Sequence, residues 1–353
     1  MLIVRSPLRI SLAGGGTDLP DYYQLRGGMV INMAIDRYFY VFLRTSNGME
    51  VQISSADFQT YDSWSKEADG WREGLKLPRA IFHHFGIDRG VNLFLASEVP
   101  PGTGLGSSST VAVGLIKALS TASGVHLTKK ELAELASYIE IEKLGSPIGK
   151  QDQYAAAFGG INLIEFTAEK TEVTPLFLPI NIIKKLSKSL LLFYTGHKRK
   201  ANEILSQQKE ASKKKNNPVV EALDRVKEMV PQVKSILENG DFPSLGAFLH
   251  QNWIEKKRFA KGVSNEFIDT CYDLALEKGA WGGKITGAGG GGFLLFCCPE
   301  SKQRAVTKAL ETQGLIRMQF STDFSGARVL MNAGLRLTSR LPWTPPNKLR
   351  RRI

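Results

Sequence analysis

The sequence predicts an α+β fold in two domains. Two observations carry this. The first hundred residues read mostly as strands and the next sixty mostly as helices, without a regular βαβ alternation. Beyond residues 179–188 the texture changes, and one short strand is followed by four long helical patterns. A chain of 353 residues is long enough for two ordinary domains, so the expected division is 1–182 and 183–353.

Taken in order, residues 2–12 alternate apolar and polar, as a strand broken at Pro7. Residues 28–45 are rich in Val, Ile, Phe and Tyr, and 50–54 reads as their hairpin partner. A helix is expected over 77–85, ended by Gly86, and a strand over 90–96. Helical patterns follow at 111–122 and from Thr128, whose Thr-x-x-Glu131 spacing is a capping box, through about Leu144. A short helix over 152–158 ends at Gly159-Gly160, and 161–166 with 171–178 suggests a hairpin. In the second half a strand at 190–195 precedes helices over 198–215, 218–238, 242–261 and 265–278, and a strand at 294–297.

Composition limits the function classes. Apolar content of 42% and charged content of 23% suit a soluble globular protein. No apolar run approaches about 18 residues, so no membrane span is expected. The N-terminus lacks the apolar region of a signal peptide, and Cys271, Cys297 and Cys298 form no disulfide framework. A reducing, cytoplasmic setting is the expectation, as a monomer or homodimer. The net charge is +12. The basic runs (Lys198, Arg199, Lys200 with Lys213–Lys215, and Lys348 with Arg350–Arg352) read as solvated faces or tails. They lack interleaved aromatics, so neither nucleic acid nor membrane is an expected partner.

Three glycine-rich loops carry the chemistry. The central one is Pro101, Gly102, Thr103, Gly104, Leu105, Gly106, Ser107, Ser108 and Ser109, placed between a strand and a helix. Glycines admit close approach of backbone N–H groups to an anion, and a helix N-terminus favours negative charge. The same stretch also reads as a serine-capped turn, and it matches neither the P-loop nor the Rossmann spacing. The first loop, Gly14 to Asp18, suits close approach to a polyhydroxylated ligand through Gly15, Gly16, Thr17 and Asp18; Asp18 also reads as the cap of the next helix. The last loop places five glycines between Gly287 and Gly292, a cost in chain entropy that points to close backbone contact. Two carboxylates stand out. Glu140 lies near a helix C-terminus, against the dipole, and Asp152 lies at a helix start, where it reads as a dipole partner or a general base.

Together, in this order and spacing, the loops resemble those of the GHMP small-molecule kinases, over nearly the whole chain. The segment Leu12 to Leu19 and the run Leu144 to Gln153 resemble the sugar 1-kinase branch, closest to the heptose 7-phosphate enzymes. Galactokinases carry Gly-Glu-His-Thr-Asp in the first loop, and Gly15 and Gly16 replace that Glu and His. The resemblance implies a domain like ribosomal protein S5 domain 2 joined to a ferredoxin-like domain, with the active site between them. It implies ATP and Mg²⁺, with residues 101–109 around the phosphates and Ser108 and Glu140 on the metal. Asp152 would act as base with Arg9 beside it. Gly15, Gly16, Thr17, Asp18, Gly159, Gly160, Gly289 and Gly290 would enclose the substrate. The implied reaction is phosphorylation of an anomeric hydroxyl, of D-glycero-α-D-manno-heptose 7-phosphate or of a free sugar such as fucose or a mannose-like hexose. A sugar-binding sensor without turnover is the alternative from another class. A phosphorylated acceptor calls for a cationic patch, with Lys198, Arg199, Lys200 and Arg26 as candidates, and Trp64 is a candidate for the adenine pocket.

Overall fold

The long strands at the start of the chain form the spine of one sheet. A computed structural model describes residues 1–55, 60–64, 75–197, 201–212 and 217–338. In it β1 (Leu2–Ala13) pairs antiparallel with β2 (Gly28–Thr45), across the short helix α1 (Pro20–Arg26). Pro7 does not break β1. The register slips between Pro7 and Leu8, and a bulge accommodates the residue that cannot donate to the ladder.

β2 is long enough to serve two partners. Its first part pairs with β6 (Ile161–Phe166), and its last part with β5 (Val91–Ser97). β3 (Val51–Ser55) is not the hairpin partner of β2: it lies beyond β5, parallel to it, and pairs antiparallel with β4 (Thr60–Trp64). The hairpin β6–β7 (Thr171–Pro175) forms as expected.

Four helices cover one face of this sheet: α2 (Lys76–Phe85), α3 (Ser107–Ala122), α4 (Lys129–Ser137) and α5 (Gln151–Phe158). Leu2, Val4, Val41 and Leu43 from the strands pack with Phe82, Leu115, Leu119 and Leu135 from the helices. The capping box of α4 is present in both directions.

α6 (Ile180–Ser189) leads into the second sheet, and the expected division at 182/183 falls within it. This sheet comprises β8 (Leu190–Tyr194), β9 (Gly282–Ile285), β10 (Phe293–Cys297) and β11 (Ile316–Met318) in the antiparallel order β11-β8-β10-β9. That is the 4-1-3-2 order of a ferredoxin-like sheet. Between β8 and β9 run α7 (Ala201–Ser212), α8 (Pro218–Asn239), α9 (Phe242–Lys256) and α10 (Glu266–Glu277), and α11 (Glu300–Thr312) joins β10 to β11.

Successive residues of β8 serve opposite cores. Leu190 and Leu192 pack with α8 and α9 and with Leu8, Ile10 and Leu12 of β1; Leu191 and Phe193 pack with α10 and α11 residues. Burial on both faces explains the uninterrupted apolar run. The far end of β1 therefore belongs to the seam between the two sheets. The chain then returns: β12 (Arg328–Asn332) pairs with β1, so the segment expected to run from 183 to 353 contributes its last described strand to the first sheet.

Candidate active site

The far end of β1, the loop entering α3, the start of α5, α9 and the end of β9 all open into one cleft lined by both halves of the chain. Gly102, Gly104 and Gly106 have φ of 77°, 86° and 82°, the left-handed region that glycine adopts without strain. α3 starts at Ser107 behind Gly106, and no side chain caps it. Its first orphan N–H groups suit an anion. The serines are therefore not a capping run. Ser107, Ser108 and Ser109 line the cleft with the three glycines. Thr103 and Leu105 do not: both are fully buried, Thr103 Oγ1 donates to the Pro100 carbonyl (2.9 Å), and the Leu105 carbonyl accepts from the Arg9 amide (3.0 Å). Pro101 also lies outside the lining.

Arg9 ties this loop to the start of α5. Its Nε donates to Asp152 Oδ1 (2.7 Å), and its Nη1 donates to the Gly104 carbonyl (2.8 Å). Arg9 is 4% exposed. A Cβ at Gly106 would stand 3.1 Å from Asp152 Oδ2, so the loop entering α3 and the carboxylate are in contact.

Ser108 Oγ donates to Glu140 Oε1 (3.2 Å), and Gln153 Nε2 donates to Glu140 Oε2 (2.7 Å). Glu140 does not sit in a regular helix. α4 widens at Tyr138 into a π-helical turn, Tyr138–Lys143, of the kind that re-aims side chains at functional sites. Burial pushes the Glu140 carboxyl up to about 7. Among the described residues no cluster of three or more His, Cys, Asp or Glu side chains could hold a metal. A buried carboxylate with one hydroxyl beside it fits a cation that keeps most of its ligands from water and substrate, as Mg²⁺ does.

Asp18 is not the cap of α1, whose N-cap is Leu19. It reaches across the fold to α5. Its Oδ2 accepts from the Gln151 amide (3.1 Å), and its Oδ1 accepts from Gln151 Nε2 and from the Gly16 amide (both 3.1 Å). Burial first, and Asp152 second, raise its pKa. Gly149 makes this possible, since a Cβ there would fall 1.9 Å from Asp18 Oδ2. Gly15, Gly16 and Asp18 line the cleft, whereas Thr17 is buried with Oγ1 donating to the Gly14 carbonyl (2.8 Å).

Four of the expected substrate glycines sit elsewhere. Gly159 and Gly160 pack on the turn at residues 323–326, where Gly160 N donates to the Asp323 carbonyl (2.6 Å). Gly289 and Gly290 lie against Val263, with Gly290 N donating to its carbonyl (2.7 Å). From the last loop Thr286, Gly287 and Ala288 reach the cleft instead. The close contact that this loop's glycines implied is with the loop entering α3: a Cβ at Gly292 would fall 2.2 Å from the Thr103 carbonyl oxygen. Arg26 is exposed and paired with Asp224 (3.1 Å), outside the cleft. Lys198, Arg199, Lys200 and the Trp64 side chain lie outside the described residues.

Further side chains, to which the motifs assigned no role, reach the cleft. Lys284 is 2% exposed; its Nζ donates to the Leu12 carbonyl (3.1 Å) and to Asn252 Oδ1 (3.3 Å). Burial, with Arg9 nearby, lowers its pKa to about 7. Lys256 Nζ donates to the carbonyls of Ile285 (3.2 Å) and Gly287, holding the last loop. Ser11 shares the face of Arg9 on β1, a signal available from strand alternation.

Comparison with known proteins assigns the family. The family model for the GHMP kinases N terminal domain matches residues 75–160, and that for GHMP kinases C terminal matches 229–315. Over 331 residues the chain is 35% identical to the D-glycero-alpha-D-manno-heptose 7-phosphate kinase of Campylobacter jejuni, covering 92% of this chain and 97% of that one. The chain belongs to the GHMP kinases. Kinases of this family are ATP-dependent phosphotransferases. The fold superposes on a D-glycero-D-manno-heptose 1-phosphate kinase from Bacteroides thetaiotaomicron with a TM-score of 0.79 at 28% identity, covering 95% of this chain and all of that one. Lactococcus lactis galactokinase, solved with galactose, matches with a TM-score of 0.73 at 20% identity, covering 93% of this chain and 94% of that one, a likeness of fold. The described residues of this GHMP kinase include no helix long and apolar enough to cross a membrane.

Proposed function

We propose that this GHMP kinase transfers the γ-phosphoryl group of ATP to the anomeric hydroxyl of D-glycero-α-D-manno-heptose 7-phosphate, giving the 1,7-bisphosphate. The observation that carries the reading is the Arg9–Asp152 pair, with Asp152 in contact with Gly106 at the start of α3. Phosphoryl transfer asks a protein for positioning and charge neutralisation more than for covalent chemistry. Asp152 accepts the hydrogen of the acceptor hydroxyl and aims its oxygen at the phosphate side. Arg9 fixes the carboxylate and, through the Gly104 carbonyl, the loop. Arg9 places a cationic group in the cleft and Lys284 an N–H donor at its wall, where charge builds up on the transferring group.

Ser108 and Glu140 are the residues that would hold Mg²⁺, which when bound neutralises charge on the triphosphate. The heptose acceptor rests on the 35% identity to the Campylobacter enzyme. Gly15 and Gly16 line the cleft without a side chain of their own. Such a product suits nucleotide-activated heptose synthesis for surface polysaccharide.

ADP release measured against heptose 7-phosphate, free heptose, fucose, mannose and galactose tests the reading. Heptose 7-phosphate is expected to give the highest kcat/KM. Equal rates on free and 7-phosphorylated heptose would remove the phosphorylated acceptor, and binding without any turnover would favour a sensor.

A further inference from the structure

Ser11 and Gln151 are buried polar residues on the cleft wall that the reaction above does not use. Ser11 is 7% exposed and Gln151 9%. Both line the cleft, and among the described residues neither Ser11 Oγ nor Gln151 Oε1 has a hydrogen-bond partner. The rest of the Gln151 side chain is committed: its Nε2 donates to Asp18 Oδ1 (3.1 Å). That bond fixes the amide orientation and leaves Oε1 as a pure acceptor.

Gly15 connects the two. A Cβ there would stand 3.0 Å from Ser11 Oγ and 3.8 Å from Gln151 Nε2, with no positive φ to strain the backbone. Glycine is what keeps this wall free of a side chain, since a Cβ at Gly15 would crowd Ser11 Oγ. Buried polar atoms left unpaired are costly, and both of these belong to residues that line the cleft, where a ligand can supply the partner.

We infer that Ser11, Gln151 and Gly15 form a subsite for one uncharged ring hydroxyl of the acceptor. A hydroxyl can donate to Gln151 Oε1 and exchange a hydrogen bond with Ser11 Oγ in either direction. A phosphate fits poorly, because Oε1 offers it no donor and the Asp18 carboxyl stands behind the amide. The subsite therefore selects acceptors by a hydroxyl and assigns any acceptor phosphate to another part of the cleft. The inference rests on the sugar-acceptor reading.

The test is ADP release by wild type, Ser11→Ala and Gly15→Ala with heptose 7-phosphate and its single-deoxy analogues. Ser11→Ala is expected to lower kcat/KM for the sugar about three- to tenfold, the worth of one neutral hydrogen bond, with KM for ATP within twofold of wild type. Gly15→Ala crowds Ser11 Oγ and is expected to do the same or more. One deoxy analogue should lose a similar factor with wild type and nothing further with Ser11→Ala. Turnover intact in both variants with unchanged sugar kcat/KM overturns the subsite alone, as does a Ser11→Ala loss that is equal on every deoxy analogue. No turnover of any sugar by wild type overturns the acceptor reading and the subsite with it.

Discussion

Arg9 Nε stands 2.7 Å from Asp152 Oδ1, and the same guanidinium donates to the Gly104 carbonyl at 2.8 Å. One buried cation thus joins the carboxylate proposed to meet the acceptor to the loop proposed to hold the donor. Asp152→Asn keeps the shape but loses the proton acceptor. We expect kcat to fall by about 10²-fold or more, within the range for general base catalysis, with sugar KM changed far less. Coupled ADP release measures both; near wild-type kcat would remove Asp152 from the reaction.

Arg9→Lys tests the bridge itself. Lysine is a point charge without the planar fork, so it cannot hold the carboxylate and the carbonyl together. Both kcat and the KM for ATP are expected to worsen, each by about tenfold, because the carboxylate and the loop lose one shared anchor. A loss confined to kcat would mean that the Gly104 contact does not order the nucleotide loop.

Glu140 makes stability depend on pH. Its carboxyl is raised by burial from an ordinary 4.5 to about 7, so the folded state holds a proton that the unfolded chain releases between these values. Its contribution is present below pH 4.5 and lost as pH rises through 7, by about 3 kcal/mol in total. Glu140→Gln should flatten that part of the profile in urea unfolding of the ligand-free protein and abolish stabilisation by Mg²⁺ with nucleotide. A profile from pH 4.5 to 7 that matches wild type would contradict the assignment.

Lys284 gives the opposite slope at higher pH. Its ammonium is lowered from 10.5 to about 7, so between these values the unfolded chain binds the extra proton and stability rises with pH, by at most about 1.4 kcal/mol per unit. Lys284→Met should remove this rise. It should also lower kcat, since Leu12 and Asn252 lose the donor that bridges them.

The two glycine loops touch where Gly292 has φ of 91° and a Cβ would meet the Thr103 carbonyl oxygen at 2.2 Å. Gly292→Ala combines left-handed strain with overpacking, an expected loss of about 3 kcal/mol. Thermal unfolding measures it, and KM for ATP should rise because Thr103 sits within the loop proposed to hold the donor. A melting temperature unchanged from wild type would refute the contact.

Local signals read through well. The Thr128–Glu131 box, the 28–45 strand and the glycine cost at 287–292 all depend on neighbours in sequence, and each appears in the fold. What failed depended on partners far away. β3 lies beyond β5 because strand order is set by sheet assembly, not by nearness in the chain. Asp18 caps α5 rather than α1, across a gap of 133 residues that no local pattern encodes. Gly159 and Gly160 bear the mark of close approach, but the backbone that approaches them is the turn near Asp323. Glu140 was legible as a carboxylate against the dipole; the π-helical turn that aims it was not.

Phosphate is proposed to move from ATP to C1 of a heptose 7-phosphate. ³¹P NMR of the purified product, with ¹H–³¹P correlation, tests it most directly. Two phosphorus signals are expected, one coupled to the anomeric proton and one to the C7 protons, formed together with one equivalent of ADP. A new phosphorus signal coupled to any proton other than the anomeric one, or no new signal with heptose 7-phosphate and ATP, would contradict it.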